Sequence, residues 1–376
     1  MIAAGTGRRR ESALFTLVVT VLCLCGGLVV AALLVLMDAP AEVALATLLA
    51  LLPVGPLVGC FLWLDRYEPE PRRLLASAVA WGACVATSLA LVPQLLLSQG
   101  LSEMTQLAVV APVTEEATKG FFLLLLLWWR RAELDGVLDG VVYAGMVGIG
   151  FAFTENILYL SGVGIDAELL GESSSAAVTW TFVVRCIASP FAHPLFTAAI
   201  GVGVGLAVGA RSRWGRVLAP FLGYCAAVLV HGLWNGSVAF ADGSGFVIVY
   251  LVLMAPLLMV TVGFAVWLRS SERQVLTAAL SDAARRGLLP ATDIGWIVDL
   301  RARRVARIHA ERMGGRAALR AMEEYQQAAV ELGFLHHRYL RGTPPPDFAT
   351  RGQSFVVRLN AVRPLISFPG QVVPTR

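Results

Sequence analysis

The stretch ALFTLVVTVLCLCGGLVVAALLVLM, residues 13–37, decides the fold class, because it runs for 25 positions without a charge. At 1.5 Å per residue a helix of that length crosses the ~30 Å hydrocarbon core of a bilayer. The run follows Arg8-Arg9-Arg10 as a signal sequence would. It is too long for a signal's apolar region and lacks a small-residue cleavage site, so a retained anchor is expected. Composition agrees with a membrane protein. Hydrophobic residues make up 57% of the 376 positions, charged residues 15%, and mean hydropathy is +0.70. Water-soluble chains carry about a quarter charged residues.

Outward from that first run, further apolar runs fall at about 41–64, 74–98, 107–129, 137–160, 189–209, 217–240 and 246–268. The expected fold is all-α, a polytopic bundle of about eight transmembrane helices over residues 1–268. With the N-terminus in the cytoplasm, positive charge collects in alternate loops. The inner segments hold Arg8, Arg9 and Arg10; Arg66, Arg72 and Arg73; Arg130 and Arg131; Arg211, Arg213 and Arg216; and Arg269. The outer loops hold Asp38, Glu103, Asp166, Glu168, Glu172 and Asp242, with Arg185 in an ambiguous stretch before the sixth run. Both termini are therefore expected in the cytoplasm, in a multi-pass cell-membrane protein.

Residues 269–376 form a separate, basic and mostly helical tail, with 17 Arg against 9 Asp plus Glu. Helical spacing covers about 271–287, 291–312 and 315–340, Pro344-Pro345-Pro346 ends it, and the last thirty residues read as irregular. The tail is either a solvated appendage or a surface for anionic lipid. No nucleic-acid partner is expected. The six cysteines lack CxxC spacing and fall mostly within apolar runs, so they read as packing residues.

Ionisable residues inside hydrocarbon cost several kcal/mol by insertion scales and mark function by default. The fourth run reads APVTEEATKG over 111–120, placing Glu115, Glu116 and Lys119 in one span, and Lys119 is the chain's only lysine. Glu115 and Lys119 share a helix face at i, i+4 and can pair; a packing ion pair explains one glutamate but not both. The fifth run carries Glu155 and Asn156, the sixth His193, and the seventh His231 and Asn235, again on one face. Taken singly, each has a plainer alternative: Glu155 as an interfacial residue, His193 as a packing residue, and His231 with Asn235 as an interhelical clamp. Asp135 and Asp139 read as interfacial. By residue count, Glu115, Glu155, His231 and Asn235 lie ~7–13 Å from the outer ends of their helices, and His193 enters from that side. Independent packing residues have no reason to share a depth, so the set reads as a site.

Two chemistries fit these residues. A carboxylate in a low-dielectric pocket serves as a general base toward water, with histidine and asparagine donors at the oxyanion. Alternatively His193, His231 and a glutamate such as Glu155 hold a divalent metal such as Zn²⁺, and a remaining glutamate acts as base. No HExxH helix, Gly-x-Ser-Gly context or paired aspartates occur.

The EExxK of Glu115 to Lys119, the FxxxEN of Phe151 to Asn156, His193 and the HxxxN of His231 to Asn235 together resemble the PrsW family. Asp65-Arg-Tyr-Glu-Pro-Glu-Pro71 resembles that family's inner loop. The resemblance covers about residues 60–240. It implies a bacterial intramembrane protease, usually called a metalloprotease, related to the CAAX-processing and bacteriocin-immunity superfamily. It also implies a membrane-anchored protein substrate, of which an anti-sigma factor is the best-known kind. Carried over, Glu115 and Glu116 supply the base and His231 with Asn235 the oxyanion donors. Glu155 stands where the wider superfamily often has a histidine. A proton-coupled transporter would also bury glutamates and histidines, but it is expected to show inverted repeats, and none is visible.

Overall fold

A computed structural model describes residues 3–67, 69–134, 136–239 and 244–370. Glu68, Asp135 and Asp242 lie outside the described residues, as do the side chains of Arg8, Arg9 and Arg10. The described residues are helical, with no strand among them. They divide into two compact units, Met1–Asp65 with Glu70–Gly263, and Arg66–Pro69 with Phe264–Arg376.

In the first unit, α1 covers Ala3–Leu36, and α2 (Pro40–Leu51) and α3 (Val54–Leu64) together make one apolar span. Next come α4 (Arg72–Ala80), a π-helical turn (Trp81–Ala86) and α5 (Thr87–Leu97). A short α6 (Glu103–Thr105) and a second π-helical turn (Gln106–Val110) lead into α7 (Ala111–Trp129). Then α8 covers Val137–Leu169, with the Asp139 carboxylate accepting the Gly136 N–H at 3.0 Å to cap it. The rest are α9 (Ser174–Phe182), a π-helical turn (Val183–Ala188), α10 (Ala192–Gly209), α11 (Arg213–Ala239), α12 (Ser244–Val249), a further π-helical turn (Tyr250–Met254) and the start of α13 (Ala255–Arg285), which belongs to the second unit from Phe264 onward.

Among the described residues, seven helical stretches are long and apolar enough to cross a membrane. The count differs from the expected eight at α7, where Glu115, Glu116 and Lys119 interrupt the hydropathy of a 19-residue helix. The order of burial follows from lipid as solvent. Along their most apolar windows α8 is 89% buried, whereas the stretch Gly245–Arg285 is 6% and α1 17%. Leu17, Leu24 and Leu28 of α1 are exposed, as befits side chains whose surroundings are acyl chains.

Backbone proximity at the centre depends on missing side chains, since in lipid helices associate by close packing of small residues. A Cβ on Gly140 of α8 would stand 2.1 Å from the carbonyl oxygen of Gly201 in α10. One on Gly148 would stand 2.7 Å from Cα of Pro194, next to His193. The glycines thus hold α8 against α10 where both carry polar side chains.

Residues 174–188, the ambiguous stretch before the sixth run, are helical, as α9 and its π-helical turn. The chain then breaks at Ser189–Phe191 and re-enters helix as α10. The Ala-Ala-Val-Thr-Trp-Thr-Phe-Val-Val portion of residues 174–188 packs against α8.

The second unit has its own core, with Leu276, Leu280, Met322, Tyr325, Leu335 and Phe368 among its buried members. Its helices are α14 (Ile294–Val298), α15 (Leu300–Leu340), broken at Gly314–Gly315 where Gly315 has φ +65°, and α16 (Phe348–Val362). The last thirty residues are therefore not irregular throughout. Phe355 and Leu359 share one face of α16 and are buried in this core, a pattern that the preceding prolines mask in the sequence. Buried Asp293 ties the unit together, accepting from Tyr325 Oη at 2.6 Å and Arg363 Nε at 2.8 Å.

Candidate active site

Four helices of the first unit bring polar side chains to one buried point. α7 supplies the adjacent Glu115 and Glu116 and, one turn on, Lys119, which reaches both. α8 supplies Glu155 and Asn156, α10 supplies His193 and Thr197, and α11 supplies His231 and Asn235.

Glu116 and Lys119 are fully buried and bonded to each other, Nζ to Oε1 at 2.8 Å. The same Oε1 takes His231 Nδ1 at 3.0 Å, and Oε2 takes Thr197 Oγ1 at 3.0 Å. Glu116 is thereby saturated with donors. Lys119 Nζ also reaches His193 Nδ1 at 3.0 Å and Glu115 Oε2 at 3.4 Å, and lies 3.8 Å from the Phe151 ring centroid. A lone buried ammonium would be prohibitively costly; here it has three polar partners and an aromatic face.

The bonds fix the histidine tautomers. An ammonium only donates, so His193 Nδ1 accepts from Lys119, and Nε2 carries the proton that Glu155 Oε2 accepts at 2.7 Å. Glu116 already accepts from Lys119 and Thr197, so His231 Nδ1 donates to it. That leaves His231 Nε2 with a lone pair, buried and without a hydrogen-bond partner among the described residues. Its nearest acidic neighbour is Glu115 Oε2 at 3.7 Å. Phe196 stacks on the His231 ring at 4.7 Å and holds its orientation.

Glu115 is the loosely held carboxylate. Beyond Lys119, its Oε1 takes Gln94 Nε2 at 3.3 Å. Glu155 is instead clamped, paired with Arg185 as well as His193. Arg185 Nε also donates to Asn156 Oδ1 at 2.8 Å, and the guanidinium lies over the Tyr159 ring at 4.0 Å. Asn235 Nδ2 donates to the Leu107 carbonyl at 3.2 Å. A cavity of about 400 Å³ opens beside this cluster, walled by Glu155, His193, Asn235 and Arg185.

Glu115, His193 and His231 each offer one ligand atom within 4.8 Å of the others. The unpartnered Nε2 of His231, backed by a carboxylate on Nδ1, is the usual second-sphere arrangement for a metal-binding imidazole. Three carboxyl groups stand against two cations, Lys119 and Arg185, so the site has one acidic group to spare for a cation. Glu115 and His231 fit a divalent metal as they stand, and His193 joins them where its Nδ1 exchanges Lys119 for the metal. The carboxylate grouped with the histidines is Glu115, whereas the sequence suggested Glu155, which Arg185 and His193 occupy.

Residues 70–261 match the PrsW family, described as intramembrane metalloproteases. The chain belongs to the PrsW family. It is a peptidase of the intramembrane kind, in a multi-pass membrane protein. It is 26% identical over 190 residues to the Protease PrsW of Geobacillus kaustophilus (strain HTA426), covering 49% of this chain and 75% of that one. It is 27% identical over 196 residues to the Protease PrsW of Clostridioides difficile (strain 630), 50% and 76% respectively. Against the Protease PrsW of Bacillus subtilis (strain 168) the identity is 25% over 186 residues, 49% and 76%. No solved structure matches the chain. The second unit of this PrsW family member lies outside the matched residues.

Sequence reasoning missed Arg185, Thr197 and Gln94. Thr197 and Gln94 carry no signal, being ordinary polar residues in apolar helices. Arg185 carried one, as the only arginine on the expected outer side, but the missing helix around it hid its meaning.

Proposed function

We propose that this peptidase cuts a membrane-anchored, single-span protein at the layer where Glu115, His193, His231 and the cavity meet. The observation that carries the reading is the buried, unpartnered Nε2 of His231, turned toward Glu115 and steadied by Glu116. A polar atom left bare in such a place costs free energy unless something binds it. His231 through its bare Nε2 and Glu115 would hold a divalent metal, with His193 joining through Nδ1 in exchange for Lys119; when bound, the metal supplies Lewis acidity toward water and the scissile carbonyl.

The chain's own groups do the rest. Glu115, with the weakest commitments, would hold the metal by one oxygen and on the other take the proton of the attacking water, returning it to the leaving amide nitrogen. Glu116 keeps His231 in the tautomer with a free Nε2, and Glu155 does the opposite for His193, fixing its proton on Nε2. Lys119 balances two carboxylates that would otherwise repel. Asn235 keeps a second amide proton for the developing oxyanion at the cavity wall.

The remaining parts of the proposal follow from the arginine pattern and the motifs. α7 is the eighth span, both termini are cytoplasmic, and the cut falls toward the extracytoplasmic boundary. The relation to CAAX-processing proteins and an anti-sigma factor as substrate are suggested by the motif resemblance. The test compares new protein N-termini in membranes carrying the wild type or Glu115→Gln. The reading predicts a single-span protein that gains a terminus within its apolar segment with wild type only. Identical termini from a folded variant would refute hydrolysis, and a cut at the cytoplasmic flank would refute the orientation.

A further inference from the structure

We propose that the cavity beside His193 receives an unwound stretch of the substrate, and that Arg185 and Asn156 donate hydrogen bonds to a backbone carbonyl freed by the unwinding. The proposal rests on the protease reading and names the chemistry its substrate must present.

The argument begins with the cost of unwinding. A peptide bond inside a helix is shielded by its own hydrogen bonds, so a membrane-embedded segment must open before it is cut. In hydrocarbon each freed carbonyl lacks the water that would otherwise satisfy it. An enzyme that lowers this cost has to supply donors near the reacting groups.

Unspent donors lie at the cavity. Arg185 uses Nε for Asn156 and Nη2 for Glu155, while Nη1 has no partner among the described residues. Asn156 accepts with Oδ1 and leaves Nδ2 without a partner among the described residues. Both side chains line the cavity with Glu155 and His193. A second observation points the same way. The break at Ser189–Phe191, within an otherwise apolar helical stretch, contributes Ser189 and Pro190 to the same wall. Non-helical backbone within a membrane protein is tolerated where it lines a cavity, and π-helical turns such as Val183–Ala188 recur at functional positions. Trp180, Trp234 and Phe246 complete the wall, suiting a large apolar side chain of the opened segment.

Charge selects a carbonyl over a carboxylate as the ligand. The Arg185 cation is already paired with Glu155, so an incoming carboxylate would face Glu155 without compensation. A neutral acceptor takes the spare N–H groups at no such cost.

The test uses full-length Glu115→Gln protein in detergent micelles, so that capture is read without turnover. The probe is a synthetic single-span Leu/Ala peptide with a Gly-Pro interruption beside a photoreactive benzoylphenylalanine, compared with its uninterrupted twin. The interrupted peptide is expected to cross-link to Trp180, Thr181 or Val184, about tenfold more than the twin. Arg185→Gln and Asn156→Leu each lower capture by about tenfold, the worth of one strong hydrogen bond. Thr181→Trp, which fills the cavity and leaves the Arg185 pair intact, lowers it as well, so the result does not hang on an arginine variant that fails to fold. Equal cross-linking of both peptides, or capture unchanged in Thr181→Trp, overturns the proposal. So does stronger, Arg185-dependent capture of a peptide with Asp at the interruption, which makes the ligand a carboxylate. Capture without cleavage by the Glu115 form would count against the protease reading and leave the cavity assignment standing.

Discussion

Replacing Gly148 with alanine adds one methyl group far from any reacting atom, yet the packing predicts a large loss of activity. The new Cβ would stand 2.7 Å from both N and Cα of Pro194 and 2.9 Å from the carbonyl carbon of His193. All three are backbone atoms, so no side chain can swing aside. Carbon contacts relax at about 3.5 Å, so α8 and α10 must part by roughly 0.7–1 Å. His193 is held across that interface, Nε2 to Glu155 at 2.7 Å. The parting would stretch this bond past ~3.4 Å, the edge of useful geometry. Overpacking costs about 1–3 kcal/mol in stability, and a misplacement near 1 Å costs up to ~10²-fold in rate. The control is Gly162→Ala on the same helix, where nothing lies within 4 Å of the added Cβ. There alanine should be neutral or stabilising by about 0.5–1 kcal/mol. Initial rates on a cleaved reporter, with thermal unfolding in detergent, measure both. Gly148→Ala within threefold of wild-type rate, or equal damage from Gly162→Ala, would refute the reasoning.

Three further expectations follow from the same geometry. Glu115→Gln should lose roughly 10²–10⁴ in rate with little change in unfolding temperature, whereas Glu116→Gln should also unfold earlier, because Lys119 and His231 lose their shared partner; equal unfolding temperatures would contradict the division of roles. Zn²⁺ should raise the unfolding temperature of the chelator-treated protein, and His231→Ala should abolish that shift; a shift that survives the substitution places the metal elsewhere. Asp65, buried at the C-terminal end of α3, has its carboxyl pushed up to about 7 by burial, against an accepted Glu70 N–H at 2.8 Å that pulls the other way. The unfolded carboxyl loses its proton near 4 and the folded one only near 7, so stability should fall as pH rises between them. Asp65→Asn should remove that slope and gain up to ~4 kcal/mol near pH 8; a pH profile of unfolding unchanged by the substitution would rule this out.

Much of the site was legible because hydrocarbon makes polar residues conspicuous. Glu115, Glu116, Lys119, Glu155, His193 and His231 each stand out against apolar neighbours, and the structure brings all six together. Their division of labour was not legible. Adjacent Glu115 and Glu116 look alike in sequence, yet one is saturated by Lys119, His231 and Thr197 and the other is loosely held. That difference arises from partners 81 and 115 residues away. Arg185 stands out by its charge but not by its place, since the helix that carries it directly follows a polar loop.

By itself, then, the sequence determined that this chain lives in a bilayer, that it is helical, and which residues are too polar to face lipid. Each of these depends on a property of the residue and its near neighbours: transfer free energy, helical period, local charge. The tertiary structure alone decided which nitrogen of His231 is bare, which partners occupy both nitrogens of His193, which glutamate is free to act, and where a cavity meets them. Those are matters of ångströms between helices, set by where glycines let α8 and α10 touch, and no local pattern along the chain encodes them.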